Sequence, residues 1–216
     1  MNYINETKNR YRNSSVASAY KDGYEGGISL RTLRNKIVVH AEKYAIVKAL
    51  SYCKGIRSIL DIPCGTGKLT EILRERSMLY VAADVSLEMI QQIHCEGPLP
   101  LIQSDGMVLP FRDKSFDAVV SLRLIHRLPS EIKTLFIREL MRVSGKYIIF
   151  SFPKYSLSRE TLRRIKSSIG IVPDKMIMEF IKGYSAMLNQ NGFELVKELS
   201  VLTLVSNQYI YLYQRD

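Results

Sequence analysis

Short apolar runs recur along the chain, and stretches of helical period fill the gaps between them. Ser58–Ile62, Leu79–Asp84, Leu99–Gln103, Phe116–Ser121 and Lys146–Phe150 are almost continuously apolar, which predicts strands buried on both faces. Leu69–Glu75, Leu87–His94 and Ile132–Arg142 carry the three- and four-residue spacing of helices. Strands alternating with helices predict βαβ units and a parallel sheet covered on both faces. Ahead of the first strand, Leu33–Leu50 predicts a helix, with Ile37, Val38, Ala41, Tyr44, Ala45 and Val47 as its apolar positions. After Pro153 the period turns helical again, over about Ser158–Ile169 and Asp174–Asn189. Phe193–Leu204 and Gln208–Tyr213, joined by a short polar turn, predict an antiparallel hairpin.

The expected fold is therefore α/β, a Rossmann-like doubly wound and mostly parallel sheet. A C-terminal antiparallel hairpin closes it and a helical cap is inserted. The 216 residues suit one domain, with residues 1–32 as an N-terminal lid and residues 153–190 as the cap.

Charge divides the chain differently. The net charge is +10, yet residues 58–153 are neutral overall. Residues 1–57 carry net +7 and residues 154–182 net +4. The excess sits in the two segments flanking the expected sheet. It points to an acidic partner, an anionic substrate or a membrane surface, or else to a solvated face that keeps the chain soluble.

No apolar run approaches the roughly 20 residues of a membrane helix. The polar N-terminus lacks the form of a secretory signal. Cys53, Cys64 and Cys95 are odd in number and have no metal spacing, and His40, His94 and His126 have none either. A cytoplasmic protein without a metal is expected.

Candidate chemistry gathers at the strand ends, where such sheets bind ligands. Asp61-Ile62-Pro63-Cys64-Gly65-Thr66-Gly67-Lys68-Leu69-Thr70 runs from the first strand into a helix. Its glycines allow a ligand close to the backbone. A Walker loop is excluded, because Ile62 stands where its first glycine is required and Leu69 where its hydroxyl should follow the lysine. The dinucleotide fingerprint fails at its third glycine, which is Thr70. Asp84, ending the second strand, is placed to accept both hydroxyls of a ribose. Asp105 follows the third strand, able to meet an adenine amino group or serve only its own turn. Ser121 and Arg123 follow the fourth.

In this order the residues resemble class I S-adenosylmethionine-dependent methyltransferases. The likeness is carried by Ile59–Gly67, Ala83-Asp84-Val85-Ser86 with Met89, Ser104-Asp105-Gly106, Leu109-Pro110-Phe111, Ser115-Phe116-Asp117 and Leu124–Leu128. The run from Leu109 to Asp117 is similar to the type 11 branch, which includes ubiquinone and menaquinone C-methyltransferases. The resemblance covers about residues 58–150 and implies S-adenosylmethionine as cofactor. It implies that Asp61 lies near the methionine amino group, that Asp84 holds the ribose and Asp105 the adenine, and that Val85 and Met107 sandwich the ring. Pro63, Cys64, Gly65, Gly67, Met89, Gly106 and Ser121 complete the expected cofactor site, with Tyr20 contributed by the lid. Lys68 reads as exposed at the helix start, Cys64 as a small buried residue and Asp117 as a turn residue.

For the acceptor, His126 is the candidate general base, while Arg123, Arg127 and Tyr24 are candidate substrate contacts. The expected reaction is direct in-line methyl transfer to oxygen, nitrogen or carbon of a small molecule, anionic or lipid-soluble. Arg159, Arg163 and Lys166 form one basic stripe on the cap, which suits a membrane surface. RNA as acceptor and a non-catalytic, cofactor-binding scaffold are the alternatives. Oligomeric state is not legible.

Overall fold

A computed structural model describes residues 30–154, 181–202 and 207–216. Its first element is α1, Leu30–Leu50, which starts three residues earlier than its apolar pattern. Then come β1 (Ser58–Asp61), α2 (Thr70–Arg74), β2 (Leu79–Asp84), α3 (Leu87–Ile90), β3 (Leu101–Gln103) and β4 (Phe116–Ser121). A short 3-10 turn, Ile125–Arg127, leads into α4 (Ser130–Val143). The chain continues through β5 (Ser144–Pro153), α5 (Ile181–Gln190), β6 (Phe193–Ser200) and β7 (Gln208–Arg215).

The seven strands form one sheet in the order β3-β2-β1-β4-β5-β7-β6. β1 to β5 run parallel, while β7 runs antiparallel to both β5 and β6. This is the doubly wound, mostly parallel sheet with a C-terminal hairpin that the apolar runs predict. Two apolar clusters line its faces. One joins Leu60, Val119, Ile148 and Phe150 to Phe136, Ile137 and Leu140 of α4. The other joins Ile59, Ala82, Val120 and Ile149 to Ala45, Ile46 and Ala49 of α1. The inner strands are thus buried on both sides, which is why they read as unbroken apolar runs.

Boundaries shift where hydrogen bonding outlasts or falls short of the apolar pattern. α3 spans only Leu87–Ile90, because the chain then tightens into turns closed by Gln92 N–H to Met89 and Ile93 N–H to Ile90. β5 outruns Lys146–Phe150 at both ends, because Phe116 of β4 pairs with Ser144 and β7 pairs with it as far as Pro153.

Asp117 lies in β4 rather than in a turn, and its role is structural. Its Oδ2 accepts the backbone N–H of Arg57 and of Ser58 and the Ser58 hydroxyl. Those bonds pin the entry of β1 to the start of β4. The run Leu109–Asp117 is likewise held from α4. Glu139 accepts the Leu109 N–H, and Arg142 donates to the carbonyls of Leu109 and Phe111 and to Asp113.

Most of the expected lid and cap, with Tyr20, Tyr24 and the stripe Arg159, Arg163 and Lys166, lies outside the described residues. Among the described residues, no helix is long and apolar enough to cross a membrane.

Candidate active site

The turn after β1 hangs from the end of β2. Cys64 N–H donates to the Ala83 carbonyl at 2.8 Å, and Gly65 N–H donates to Asp84 Oδ2 at 2.8 Å. Gly65 has φ +54° and Gly67 φ +77°, the left-handed region where a side chain is costly. A Cβ on Gly67 would also lie 2.8 Å from Thr70 Oγ1 and 2.9 Å from Ile93 Cγ2. At Gly67 the loop can pass this closely to Thr70 of α2 and to Ile93 only as glycine.

Two carboxylates stand at this end of the sheet, both almost fully buried. Asp84 Oδ1 accepts the Ser86 N–H at 2.9 Å, while Ser86 Oγ caps α3 by accepting from Met89 N–H. Burial raises the Asp84 pKa, and the hydrogen bonds from Ser86 and Gly65 lower it. Each Asp84 oxygen holds one backbone N–H and keeps acceptor capacity for a hydroxyl. Asp61 Oδ2 accepts the Tyr80 hydroxyl at 3.0 Å, and that hydroxyl lies 3.3 Å from Thr70 Oγ1. Burial pushes the Asp61 pKa up to about 7, against the Tyr80 hydrogen bond and with a further push from Asp84.

Both acids line one pocket with Pro63, Cys64 and Gly65. Val85, Met89, Asp105, Gly106 and Met107 line it as well. Asp105 serves its turn and the pocket together: Oδ1 accepts the Met107 N–H at 3.1 Å while the residue faces the cavity. Gly106 makes room for Phe136 of α4. A Cβ there would sit 2.4 Å from the Phe136 ring. Cys64 is a free, buried thiol whose pKa burial raises, in keeping with a packing role.

Leu122, Leu124, Leu128 and Pro129 also line the pocket, beside Arg123 and Arg127. Arg123 has φ +59°, and its N–H donates to Ser151 Oγ at 2.7 Å. Its guanidinium grips Glu42 of α1 through Nε at 2.9 Å and a terminal nitrogen at 2.5 Å. The expected substrate arginine is therefore engaged by a buried carboxylate of the chain itself. Arg127 lines the pocket as expected.

Three expected site residues stand off the lining of this pocket. Gly67 lines an adjoining cleft instead. Ser121 points into the interior, its hydroxyl buried with no hydrogen-bond partner among the described residues. The His126 side chain is buried in the 3-10 turn. Burial, then Arg127, Lys133 and Arg123, depress its pKa to about 4. At neutral pH it is an uncharged imidazole away from the cavity wall. Tyr20 and Tyr24 fall outside the described residues.

Conversely, Val39, Glu42, Lys43, Lys68 and Phe136 line the pocket without having been singled out for it. Lys68 is half-buried rather than exposed.

These residues fit S-adenosylmethionine. Asp84 supplies free acceptor positions for a ribose, Val85 and Met107 offer apolar faces for a purine, and buried Asp61 suits an ammonium group. The missing side chain at Gly65 leaves backbone beside them.

Residues 60–149 match the family described as a methyltransferase domain. A demethylmenaquinone methyltransferase of Corynebacterium urealyticum is 46% identical over 97 residues, which are 44% of this chain and 41% of that protein. The chain thus spans about two fifths of that relative's length. The 18S rRNA (guanine-N(7))-methyltransferase of Schizosaccharomyces pombe is 28% identical over 207 residues, covering 86% of this chain and 75% of that one. Among solved structures, magnesium protoporphyrin IX methyltransferase from Synechocystis with bound SAH superposes with a TM-score of 0.78 at 17% identity. It covers 99% of this chain and 100% of that one, a likeness of fold.

Proposed function

From the methyltransferase domain formed by residues 60–149, of the class I S-adenosylmethionine-dependent type 11 branch, we propose that the chain methylates a small acceptor with a flat, apolar body. The observation that carries this reading is that one pocket is lined both by Asp61, Gly65 and Asp84 and by Leu122, Leu124, Leu128 and Pro129. The first group offers carboxylate acceptors and bare backbone, and the second offers mainly methyl and methylene groups.

When bound, S-adenosylmethionine supplies an electrophilic methyl group on a positively charged sulfur. The residues of the chain have to hold, align and dry the reacting groups. Asp84 would accept the ribose hydroxyls and Asp61 would pair with the amino group. Val85 and Met107 would clamp the adenine. The apolar wall would seat the acceptor in line and exclude water, and positioning of this kind supplies on the order of 7–11 kcal/mol. The glutamate held by Arg123 keeps α1 against the cavity. His126, neutral and off the cavity wall, does not enter this scheme, and proton removal falls to solvent or to the acceptor's own acidity.

The test is incubation with methyl-labelled S-adenosylmethionine and lysate, followed by separation of solvent-extractable metabolites, RNA and protein. Label in the extractable fraction supports the reading. Label in RNA would replace it with the second reading, RNA methylation, which the rRNA-methylating relative favours by aligning over most of the chain. Absence of label in every fraction, with cofactor bound, would favour a scaffold.

A further inference from the structure

A second cleft opens beside the pocket and is not used by the scheme above. Lys36, His40 and Lys43 of α1 line it, with Lys68 from the turn before α2, Glu71 of α2 and His94 from the chain after α3. Positions 36, 40 and 43 follow helical spacing, so the three lie on one face over about 10 Å at 1.5 Å per residue. Glu71 is the one acid lining the cleft among the described residues. Glu42, the neighbouring acid on α1, is taken by Arg123. Lys43 and Lys68 are half-buried, their stems against the protein. Gly67 leaves bare backbone on the cleft floor. Val39, Lys43, Thr66 and Lys68 line both cavities, so the cleft adjoins the pocket.

We propose that this cleft binds a phosphate ester of the acceptor. The acceptor is then a phosphorylated molecule whose methylated end reaches the pocket past Val39 and Thr66. The proposal rests on the reading of the pocket as the site of methyl transfer. Three ammonium groups and two imidazoles around one concavity suit an anion with several oxygens, because each lysine is a point charge with three donors. A single carboxylate would leave most of them unused, and a neutral ring would use none. A row of about 10 Å accommodates two phosphates, as in a diphosphate or in adjacent nucleotides. The concavity also argues against a flat lipid surface, which meets protruding residues.

The experiment titrates inorganic pyrophosphate into the full chain at low salt, with and without saturating S-adenosylhomocysteine. The same titration is made on Lys36→Glu, whose side chain lines the cleft alone. The proposal expects pyrophosphate binding that the substitution weakens tenfold or more, while S-adenosylhomocysteine affinity stays within twofold. A short single-stranded RNA is the second arm. RNA that binds more tightly than pyrophosphate, is displaced by it and weakens steeply with salt assigns the ester to a polynucleotide. Pyrophosphate binding without RNA binding assigns it to a phosphorylated small molecule. Absence of both, or pyrophosphate affinity unchanged by Lys36→Glu, overturns the proposal. Loss of S-adenosylhomocysteine binding by the unmodified chain would instead overturn the reading of the pocket.

Discussion

The backbone N–H of Gly65 donates to Asp84 Oδ2 at 2.8 Å, joining the turn after β1 to the last residue of β2. One carboxylate thereby shapes the glycine turn and lines the pocket. Asp84→Asn should keep the fold but weaken S-adenosylhomocysteine binding tenfold or more, since charged hydrogen bonds are worth roughly 1.5–3 kcal/mol. Calorimetry on a variant with unchanged far-UV dichroism tests this, and unchanged affinity would remove Asp84 from the ribose.

Asp61 should make cofactor binding depend on pH. Burial, more than the Tyr80 hydrogen bond relieves, lifts its pKa to about 7. A protonated Asp61 cannot pair with an ammonium group, so S-adenosylhomocysteine affinity should climb as pH rises through about 7 and level off above it. Stability of the unliganded chain should move the opposite way. A carboxyl whose pKa is raised by folding favours the fold below its unfolded value, and that contribution is lost as pH rises through the folded one. Asp61→Asn should flatten both profiles. A wild-type affinity flat between pH 6 and 8 would contradict the assignment.

Glu42 and Arg123 form a buried, two-point ion pair between α1 and the end of β4. Removing one partner strands the other, at a cost of about 3–5 kcal/mol. Glu42→Ala and Arg123→Ala should each lower the urea midpoint, and the double variant should lose less than the sum of the two. Additive losses would mean that the pair is not coupled. A further Arg123→Gly variant should recover part of the loss, because φ +59° suits glycine.

Gly106→Ala should destabilise by about 1–3 kcal/mol through overpacking against Phe136. Pairing it with Phe136→Leu should restore thermal stability in part. A Gly106→Ala chain as stable as the parent would show that α4 yields freely.

The strands and the two acids of the site were legible because both follow from local pattern. Apolar runs mark β1, β2 and β4, and Asp61 and Asp84 stand where those runs end. Glu42 was not legible. It is one acid in a basic helix, and its partner lies 81 residues away, across a contact that only the packing of α1 on the sheet creates. Tyr80 read as core within an apolar strand. Its role appears once β1 and β2 are in register, because Asp61 pairs with Ala82, two residues along the same face. His126 shows the reverse: a base-type residue after β4 reads as chemistry, but the 3-10 turn buries its ring.

β7 lies between two strands that precede it in the chain, β5 and β6. During synthesis, β6 emerges before the strand that fastens it to the sheet exists. Until residues 208–215 arrive, the long flank of β5 is an unzipped seam, and β6 has no strand to pair with. The register from Tyr147 to Pro153 can close only then, so assembly of this half of the sheet waits on β7. A stall or a cut upstream of Gln208 would release a chain with its parallel half ready and an adhesive border facing its neighbours.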